Sequence, residues 1–158
     1  MMDVLIKFIA TGAFTGYIPV ASGTFGSVLG CIGWVLLSTR TPLFYCVIAG
    51  LCTVLGFAVS GYAEKKIFMR KDDPRIVIDE ISGMLVTFFT FRFDCDIRGV
   101  VLLGAGFVLF RLLDIVKPPP IRGLQKLPGG IGIMADDIVS GVIANGILQA
   151  VWLVFLRS

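Results

Sequence analysis

The sequence predicts an all-α fold, a polytopic helical membrane protein with about four to five membrane helices and some short or re-entrant segments. Three observations predict it. Of the 158 residues, 56% are hydrophobic, only 16% are charged, and the uncharged residues are gathered in long runs. Soluble domains average about 25% charged residues. A soluble helical protein with a large core is therefore the less favoured alternative.

Five uncharged stretches make up most of the chain. They cover residues 8–39, 41–63, 81–91, 99–110 and 138–156. A membrane helix needs roughly 20 mainly apolar residues, so three of the stretches can span a membrane unaided. The stretches 81–91 and 99–110 reach that length only if ionisable residues at their ends face protein, a cavity or water near the membrane boundary.

The breaks between these stretches place the predicted elements in order. We expect helices over residues 26–39, 42–63, 79–93, 97–116 and 136–156. Pro42 suits the start of a helix, whereas three successive prolines at 118–120 cannot continue one. No internal repeat or linker interrupts the chain, so residues 1–158 are predicted to form a single domain.

The N-terminal 25 residues allow two interpretations. They do not resemble a cleavable signal, because Asp3 precedes Lys7 and a polar, glycine-rich stretch interrupts the apolar run. Lys7 among apolar residues permits a helix that lies along the membrane interface, and a membrane-spanning segment stays open as the alternative.

Basic residues predict the orientation of the helices. One side of the predicted bundle carries eight in its loops, against four on the other, which places the richer side in the cytoplasm by the positive-inside rule. The eight are Lys65, Lys66, Arg70, Lys71, Arg75, Lys117, Arg122 and Lys126, and the four are Arg40, Arg92, Arg98 and Arg157.

Five acidic residues at the ends of predicted helices are the candidate catalytic and metal-binding residues. All lie on the predicted cytoplasmic side: Asp79, Glu80, Asp114, Asp136 and Asp137. Helix capping explains one acidic residue at a helix start, but explains adjacent pairs on two helices less well. Carboxylates are the ligands that Mg2+ prefers, so the interpretation is a site for one or two Mg2+ ions.

Two cations accompany this cluster. Arg111, Asp114 and Lys117 are spaced by three residues, which puts them on one face of the fourth predicted helix. A local ladder of ion pairs is the simpler interpretation, but phosphate binding is the favoured one. Arg111 and Lys117 also suit a phosphate, Arg111 through its fork of donors and Lys117 as a mobile point charge.

Two glycine-rich segments are candidate phosphate-binding loops. The first contains Gly23, Thr24, Gly26 and Ser27, and the second contains Gly129 and Gly130. Glycine lets backbone N–H groups approach a phosphate, and a following helix N-terminus attracts an anion. Each segment alone is more typical of a tight turn or a close helix contact.

Other residue types narrow the chemistry. The chain has no histidine, so histidine nucleophiles, bases and metal ligands are excluded. Its four cysteines form no CxxC pair and three of them lie in apolar segments, which argues against a disulfide framework or a zinc site.

Four blocks of sequence resemble the phosphatidylglycerophosphatase A family. They are ASGTFGS at 21–27, IDEISGM at 78–84, FRLLDIVKPPPI at 110–121 and GGIGIMADDIVSG at 129–141. Pro119, and serine at positions 82 and 140, depart from the family's pattern without touching a candidate ligand.

The resemblance implies an activity and a location. It implies Mg2+-dependent hydrolysis of the lipid phosphatidylglycerophosphate to phosphatidylglycerol and phosphate, at the cytoplasmic face of a bacterial inner membrane, with no nucleic-acid partner. Two mechanisms stay open as alternatives: water attacks phosphorus, or a carboxylate such as Asp114 does. A CDP-alcohol phosphotransferase lacks support, because the chain has no long run of four spaced aspartates. An ion transporter is disfavoured because the acidic residues collect at one boundary.

Overall fold

The computed structural model describes residues 1–156, with side chains through residue 154. In this part of the chain every regular element is helical, which confirms the predicted all-α class. The helices are α1 Met2–Ala10, α2 Ser22–Ser38, α3 Pro42–Tyr62, α4 Ile78–Thr87, α5 Ile97–Val116, α6 Ile121–Leu124 and α7 Gly130–Val151. A 3-10 turn at Thr15–Tyr17 precedes α2, and π-helical turns at Ala63–Phe68 and Trp152–Leu156 extend α3 and α7.

Three helical segments are long and apolar enough to cross a membrane. They are Pro42–Phe68, Ile97–Val116 and Gly130–Val154, and α2 is a shorter apolar helix. The nine residues of α1 span only about 14 Å, too little for a hydrocarbon core about 30 Å thick. Instead α1 packs against α3 and its extension, and the Tyr62 hydroxyl donates a hydrogen bond to Asp3 at 3.0 Å.

The third predicted helix is shorter than expected. We predicted it over 79–93, but α4 ends at Thr87 and its ten residues rise only about 15 Å. The chain then continues in non-helical form to the far end of α2. There the Trp34 indole donates to the Phe91 carbonyl at 3.2 Å, and the Phe93 N–H donates to the Ser38 hydroxyl at 3.3 Å. Residues 78–93 therefore run beside α2 as the helix α4 followed by a turn at 88–90 and a short irregular segment.

A buried amide supports this broken segment. Asn145 of α7 donates from its side-chain nitrogen to the Thr87 carbonyl at 2.9 Å and to the Thr90 hydroxyl at 3.1 Å. The Gln149 side chain in turn donates to the Asn145 oxygen at 2.6 Å. Irregular backbone at membrane depth is tolerated only where protein groups satisfy it. Asn145 supplies such a group where α4 ends.

The core centres on α4, which packs mainly between α2 and α7. Trp34 and Phe88 are fully buried and stack with ring centroids 4.0 Å apart.

The fifth predicted helix was placed at 136–156, and that start is wrong because α7 begins at Gly130. Gly130 and Gly132 lie so close to the backbone carbonyls of Phe57 and Leu127 that only glycine fits, so this glycine-rich stretch is helix and not loop.

Candidate active site

Five carboxylates from three helices gather at one end of the bundle. Asp79 and Glu80 lie in the first turn of α4, and Asp114 lies in the last turn of α5. Asp136 and Asp137 lie in the second turn of α7, not at its start, so they do not cap that helix. All four aspartates are buried, and the Glu80 side chain is only 14% exposed.

Three of these carboxylates form a compact triad. Asp79, Glu80 and Asp137 each offer an oxygen, and these oxygens lie within 4.8 Å of one another. One oxygen of each of the three, Asp79 Oδ1, Glu80 Oε2 and Asp137 Oδ2, is buried without a hydrogen-bond partner among the described residues. Burying carboxylates is costly unless they are paired or coordinate a metal. The donor set therefore fits a divalent cation that prefers oxygen, such as Mg2+.

The other two carboxylates pair with cations. Arg111 Nη1 donates to Asp114 Oδ2 at 2.6 Å, and Lys117 Nζ lies 3.4 Å from Asp114 Oδ1. Lys117 also forms an ion pair with Asp136 on α7. The simple ladder of ion pairs considered from the sequence is thus present, but it extends across helices. Asp114 and Asp136, predicted as metal ligands, lie outside the triad.

Lys117 lies where α5 ends and the run of prolines begins. It occupies a left-handed conformation with φ 47° at the end of the helix. Burial acts to lower its pKa, but the hydrogen bond and charge of Asp136, and then the charge of Asp114, outweigh burial, so the net pKa is raised. Lys117 is therefore a charged ammonium group held between Asp114 and Asp136.

Arg111 links the cationic and carboxylate groups. Its Nη1 lies 4.0 Å from Glu80 Oε1, while its Nε is buried without a hydrogen-bond partner among the described residues. Gly23 of α2 faces both side chains, and an added Cβ atom there would lie 3.1 Å from Arg111 Nη1. The first glycine-rich segment thus reaches the cluster through Gly23.

The remaining predicted phosphate-binding residues are placed differently. Gly26 packs against Val77, and the buried Ser27 hydroxyl donates to the Gly23 carbonyl at 2.9 Å. Thr24 is half-buried beside them in the first turn of α2. Gly130 packs against α3. For these residues, phosphate binding stays a prediction.

A basic pocket beside the second glycine-rich segment was missed. Its volume is about 570 Å³, and Gly129 lines it with four basic residues and the buried Glu64. The basic residues are Lys65, Arg70, Lys71 and Lys126. The sequence offered the signal, because all four were counted for orientation, but nothing in their spacing predicted that they share a pocket.

Fold and site together define a class: a helical membrane protein whose carboxylates and cations form a candidate hydrolytic centre at one end of its helices. The chain belongs to the phosphatidylglycerophosphatase A family, whose sequence model matches residues 8–152. This confirms the resemblance seen in the four sequence blocks and assigns the chain to the phosphoric monoester hydrolases.

Curated relatives cover most of the chain. A phosphatidylglycerophosphatase A of Escherichia coli is 37% identical over 89% of this chain and 79% of its own length. A phosphatidylglycerophosphatase A of Haemophilus influenzae is 33% identical over 92% of this chain and 88% of its own. A protein of Bacteroides thetaiotaomicron named "Putative phosphatidylinositol-3-phosphatase" is 36% identical over 85% of each chain. No solved structure gave a significant match.

Proposed function

We propose that the protein hydrolyses phosphatidylglycerophosphate to phosphatidylglycerol and phosphate, with Mg2+ as its cofactor, in phospholipid biosynthesis. Two curated relatives carry the name of this activity. The observation that carries the proposal is the Asp79, Glu80 and Asp137 triad beside Arg111, because it puts oxygen ligands and a phosphate-binding cation at one end of membrane-length helices.

The triad is the proposed metal site. Asp79, Glu80 and Asp137 would hold the ion through the oxygens that lie within 4.8 Å of one another. A bound divalent cation stabilises negative charge on a phosphoryl oxygen and lowers the pKa of water. The unpartnered oxygens of the same three residues support this role.

Arg111 and Lys117 are the proposed phosphate ligands. The buried Nε of Arg111 has no hydrogen-bond partner within the described chain, so the guanidinium has a donor that its contacts with Asp114 and Glu80 do not use. Asp114 accepts from Arg111 and lies 3.4 Å from Lys117, and thereby fixes both cations at the centre. Their positive charge would stabilise the charge that develops on the phosphoryl oxygens.

The pairing of Asp114 supports attack by water. Its Oδ2 is engaged by Arg111 and its Oδ1 by Lys117, which leaves it poorly suited as a nucleophile. In the proposed reaction the water oxygen forms a bond to phosphorus as the bond from phosphorus to the glycerol oxygen breaks. The water loses a proton and the leaving glycerol oxygen gains one, so phosphatidylglycerol and phosphate are the only products.

The charge distribution supports a cytoplasmic site in a bacterial inner membrane. The extension of α3 at the carboxylate end carries Lys65 and Lys66, and the loop that follows it carries three further basic residues. The loops at the opposite end carry Arg40, Arg92 and Arg98. This is the asymmetry that the positive-inside rule describes.

A second lipid deserves the same assay. The Bacteroides relative is named for action on a phosphoinositide, and it is about as similar to this chain as the Escherichia coli relative is. Both lipids present a phosphate monoester at the membrane surface. The triad and the two cations serve either one, so the choice of headgroup needs a direct comparison.

The test is phosphate release by the detergent-purified protein from phosphatidylglycerophosphate and from phosphatidylinositol 3-phosphate, with Mg2+ or with a chelator. We expect Mg2+-dependent release from phosphatidylglycerophosphate at the higher kcat/KM. Preference for the phosphoinositide would overturn the proposed substrate. Equal release with the chelator would overturn the cofactor. No release from either lipid by folded protein would sink the hydrolase proposal and lead to transferase and transport assays.

A further inference from the structure

An apolar groove runs between α2 and α5. Its volume is about 430 Å³, and every residue that lines it is apolar or cysteine. They are Val28, Cys31, Ile32, Val35, Leu36, Leu103 and Phe107. Cys31 forms the buried floor, at 6% exposure, whereas Ile32 and Leu36 stand open at the rim at 50% and 65%.

The groove lies in line with the candidate active site along both of its helices. On α5, Leu103, Phe107 and Arg111 follow one another at intervals of four, so the guanidinium continues the stripe that lines the groove. On α2, Gly23 faces Arg111 and Glu80, and Val28 lies about one and a half turns further along. The lining on α2 begins at Val28, about 8 Å along the helix from Gly23, and continues for about 12 Å to Leu36, so the groove follows the charged cluster into the apolar part of the bundle.

We propose that this groove holds one acyl chain of the lipid substrate while its phosphate lies at Arg111 and the carboxylate triad. The inference rests on the proposed function, since it concerns the same lipid at the same site. Its support is the order along α2 and α5: a charged cluster that suits a phosphate monoester is followed on both helices by an apolar groove that suits an alkyl chain. A lipid at a membrane boundary presents these two parts in the same order.

The groove acts by orientation more than by affinity. Bilayer lipid is as apolar as leucine, so an acyl chain gains little solvation free energy when it moves from the bilayer into the groove. The chain instead fixes where the headgroup stands relative to the reacting groups. A misplacement of about 1 Å can cost on the order of 10²-fold in rate, which gives the groove its influence on turnover.

The first test fills the groove. We choose Ile32→Trp and Leu103→Trp, with Val54→Trp on the exposed face of α3 as the matched control. Each variant is assayed on long-chain phosphatidylglycerophosphate and on its deacylated, water-soluble counterpart. We expect both groove variants to lose roughly 10- to 100-fold in kcat/KM on the long-chain lipid. The deacylated substrate needs no groove, so its kcat/KM should stay within about twofold for all variants.

Several results of this assay would overturn the groove. One is an equal loss on both substrates, which would indicate damage to the fold or the charged centre. Another is an unchanged rate on the long-chain lipid, and a third is an equal effect of Val54→Trp.

A second test needs no turnover. Phosphatidylglycerophosphate with a photoactivatable group on one acyl chain is cross-linked to the wild-type protein, and the labelled peptides are identified by mass spectrometry. We expect label on residues 28–36 and 103–107, reduced by excess unlabelled lipid and by Ile32→Trp. Label spread over all lipid-facing helices, without competition, would overturn the groove.

The two tests also separate the groove from the proposed function. Specific label without phosphate release would overturn the proposed activity and leave the groove standing. Phosphate release without specific label would do the reverse.

Discussion

Gly83 of α4 lies directly against the backbone of Asp137 on α7. A Cβ atom at Gly83 would stand 2.9 Å from the Asp137 carbonyl oxygen and 2.5 Å from Phe110 Cε2, closer than packed atoms approach. Asp79 lies one turn before Gly83 on the same face of α4. The close approach of the two helices therefore sets the distance between Asp79 and Asp137, two members of the carboxylate triad.

The first prediction concerns this contact. Gly83→Ala should force α4 and α7 apart, destabilise the protein by about 1–3 kcal/mol as overpacking does, and weaken Mg2+ binding. Gly104→Ala on α5 is the control, because nothing lies within 4 Å of its added Cβ, and alanine is the better helix former by up to about 1 kcal/mol. Thermal unfolding in detergent, with and without Mg2+, measures both effects. Equal stability of the two variants would contradict the role of the contact.

The second prediction concerns the triad itself. We expect Mg2+ to raise the melting temperature of the wild type, and Asp79→Asn and Asp137→Asn, which each remove a proposed charged ligand, should abolish that rise. Phosphate release should fall by more than the roughly 10–100-fold that loss of an outer-shell partner costs a metal site. Asp94→Asn, exposed in the loop before α5, is the matched control. A variant that keeps the Mg2+-dependent stabilisation would remove its residue from the proposed metal site.

The helix content was predictable because apolar runs have a length that only membrane helices need. The end of α4 was not. Residues 88–93 are as apolar as those before them, and the helix stops at Thr87 because Asn145 and Trp34 satisfy the backbone of a non-helical continuation. Both partners are distant in sequence, so the pattern of apolar residues around position 87 does not predict where the helix ends.

The sequence predicted which five carboxylates belong to the candidate site. It did not predict how they separate into two groups. Position at the predicted helix ends selected all five carboxylates, although α7 begins at Gly130 and Asp136 and Asp137 lie inside it. Their separation into a triad and a cation-paired set depends on which side chains meet across helices, as Lys117 meets Asp136. Helical spacing predicted the pairing of Arg111 with Asp114, since both lie on α5, but not the contact with Glu80. The groove could not be predicted, because its lining residues have the same apolar character as side chains that face lipid.

The third prediction tests the support of the broken segment. Asn145→Leu removes two donated hydrogen bonds and leaves the Thr87 carbonyl without that partner. We expect a loss of about 1–3 kcal/mol, the cost of an unsatisfied buried group. Thr53→Val on α3 is the control, because among the described residues that hydroxyl bonds only the Ala49 carbonyl, one turn earlier in its own helix. Denaturation in mixed micelles measures the difference, and equal stability of the variants would contradict the prediction.

The fourth prediction concerns pH and the loop that leads into α4. Asp73 is buried, and its Oδ1 accepts hydrogen bonds from the Arg75 backbone N–H at 3.0 Å and from Nε at 2.7 Å. Its Oδ2 accepts from Arg75 Nη2 at 2.8 Å, and the Arg75 guanidinium lies over the Phe68 ring at 4.1 Å. The hydrogen bonds from Arg75 lower the pKa of Asp73 in the folded protein.

The sign of the pH dependence follows from that shift. A carboxyl group whose pKa is lower in the folded state than in the unfolded state stabilises the fold fully above the unfolded pKa, about 3.9 for Asp. The contribution is lost as the pH falls through the lower, folded pKa. Because the Arg75 side chain is 40% exposed, we expect the contribution to be small, about 1 kcal/mol or less.

The measurement compares melting temperatures of the wild type, Asp73→Asn and Arg75→Gln across pH. The advantage of the wild type over each variant should be constant near pH 6 and should shrink as the pH falls below about 4. The advantage of the wild type should shrink by the same amount over Asp73→Asn as over Arg75→Gln, because each variant breaks the same ion pair. An advantage that stays constant down to about pH 3 would show that the Asp73 and Arg75 pair stabilises the loop through packing alone.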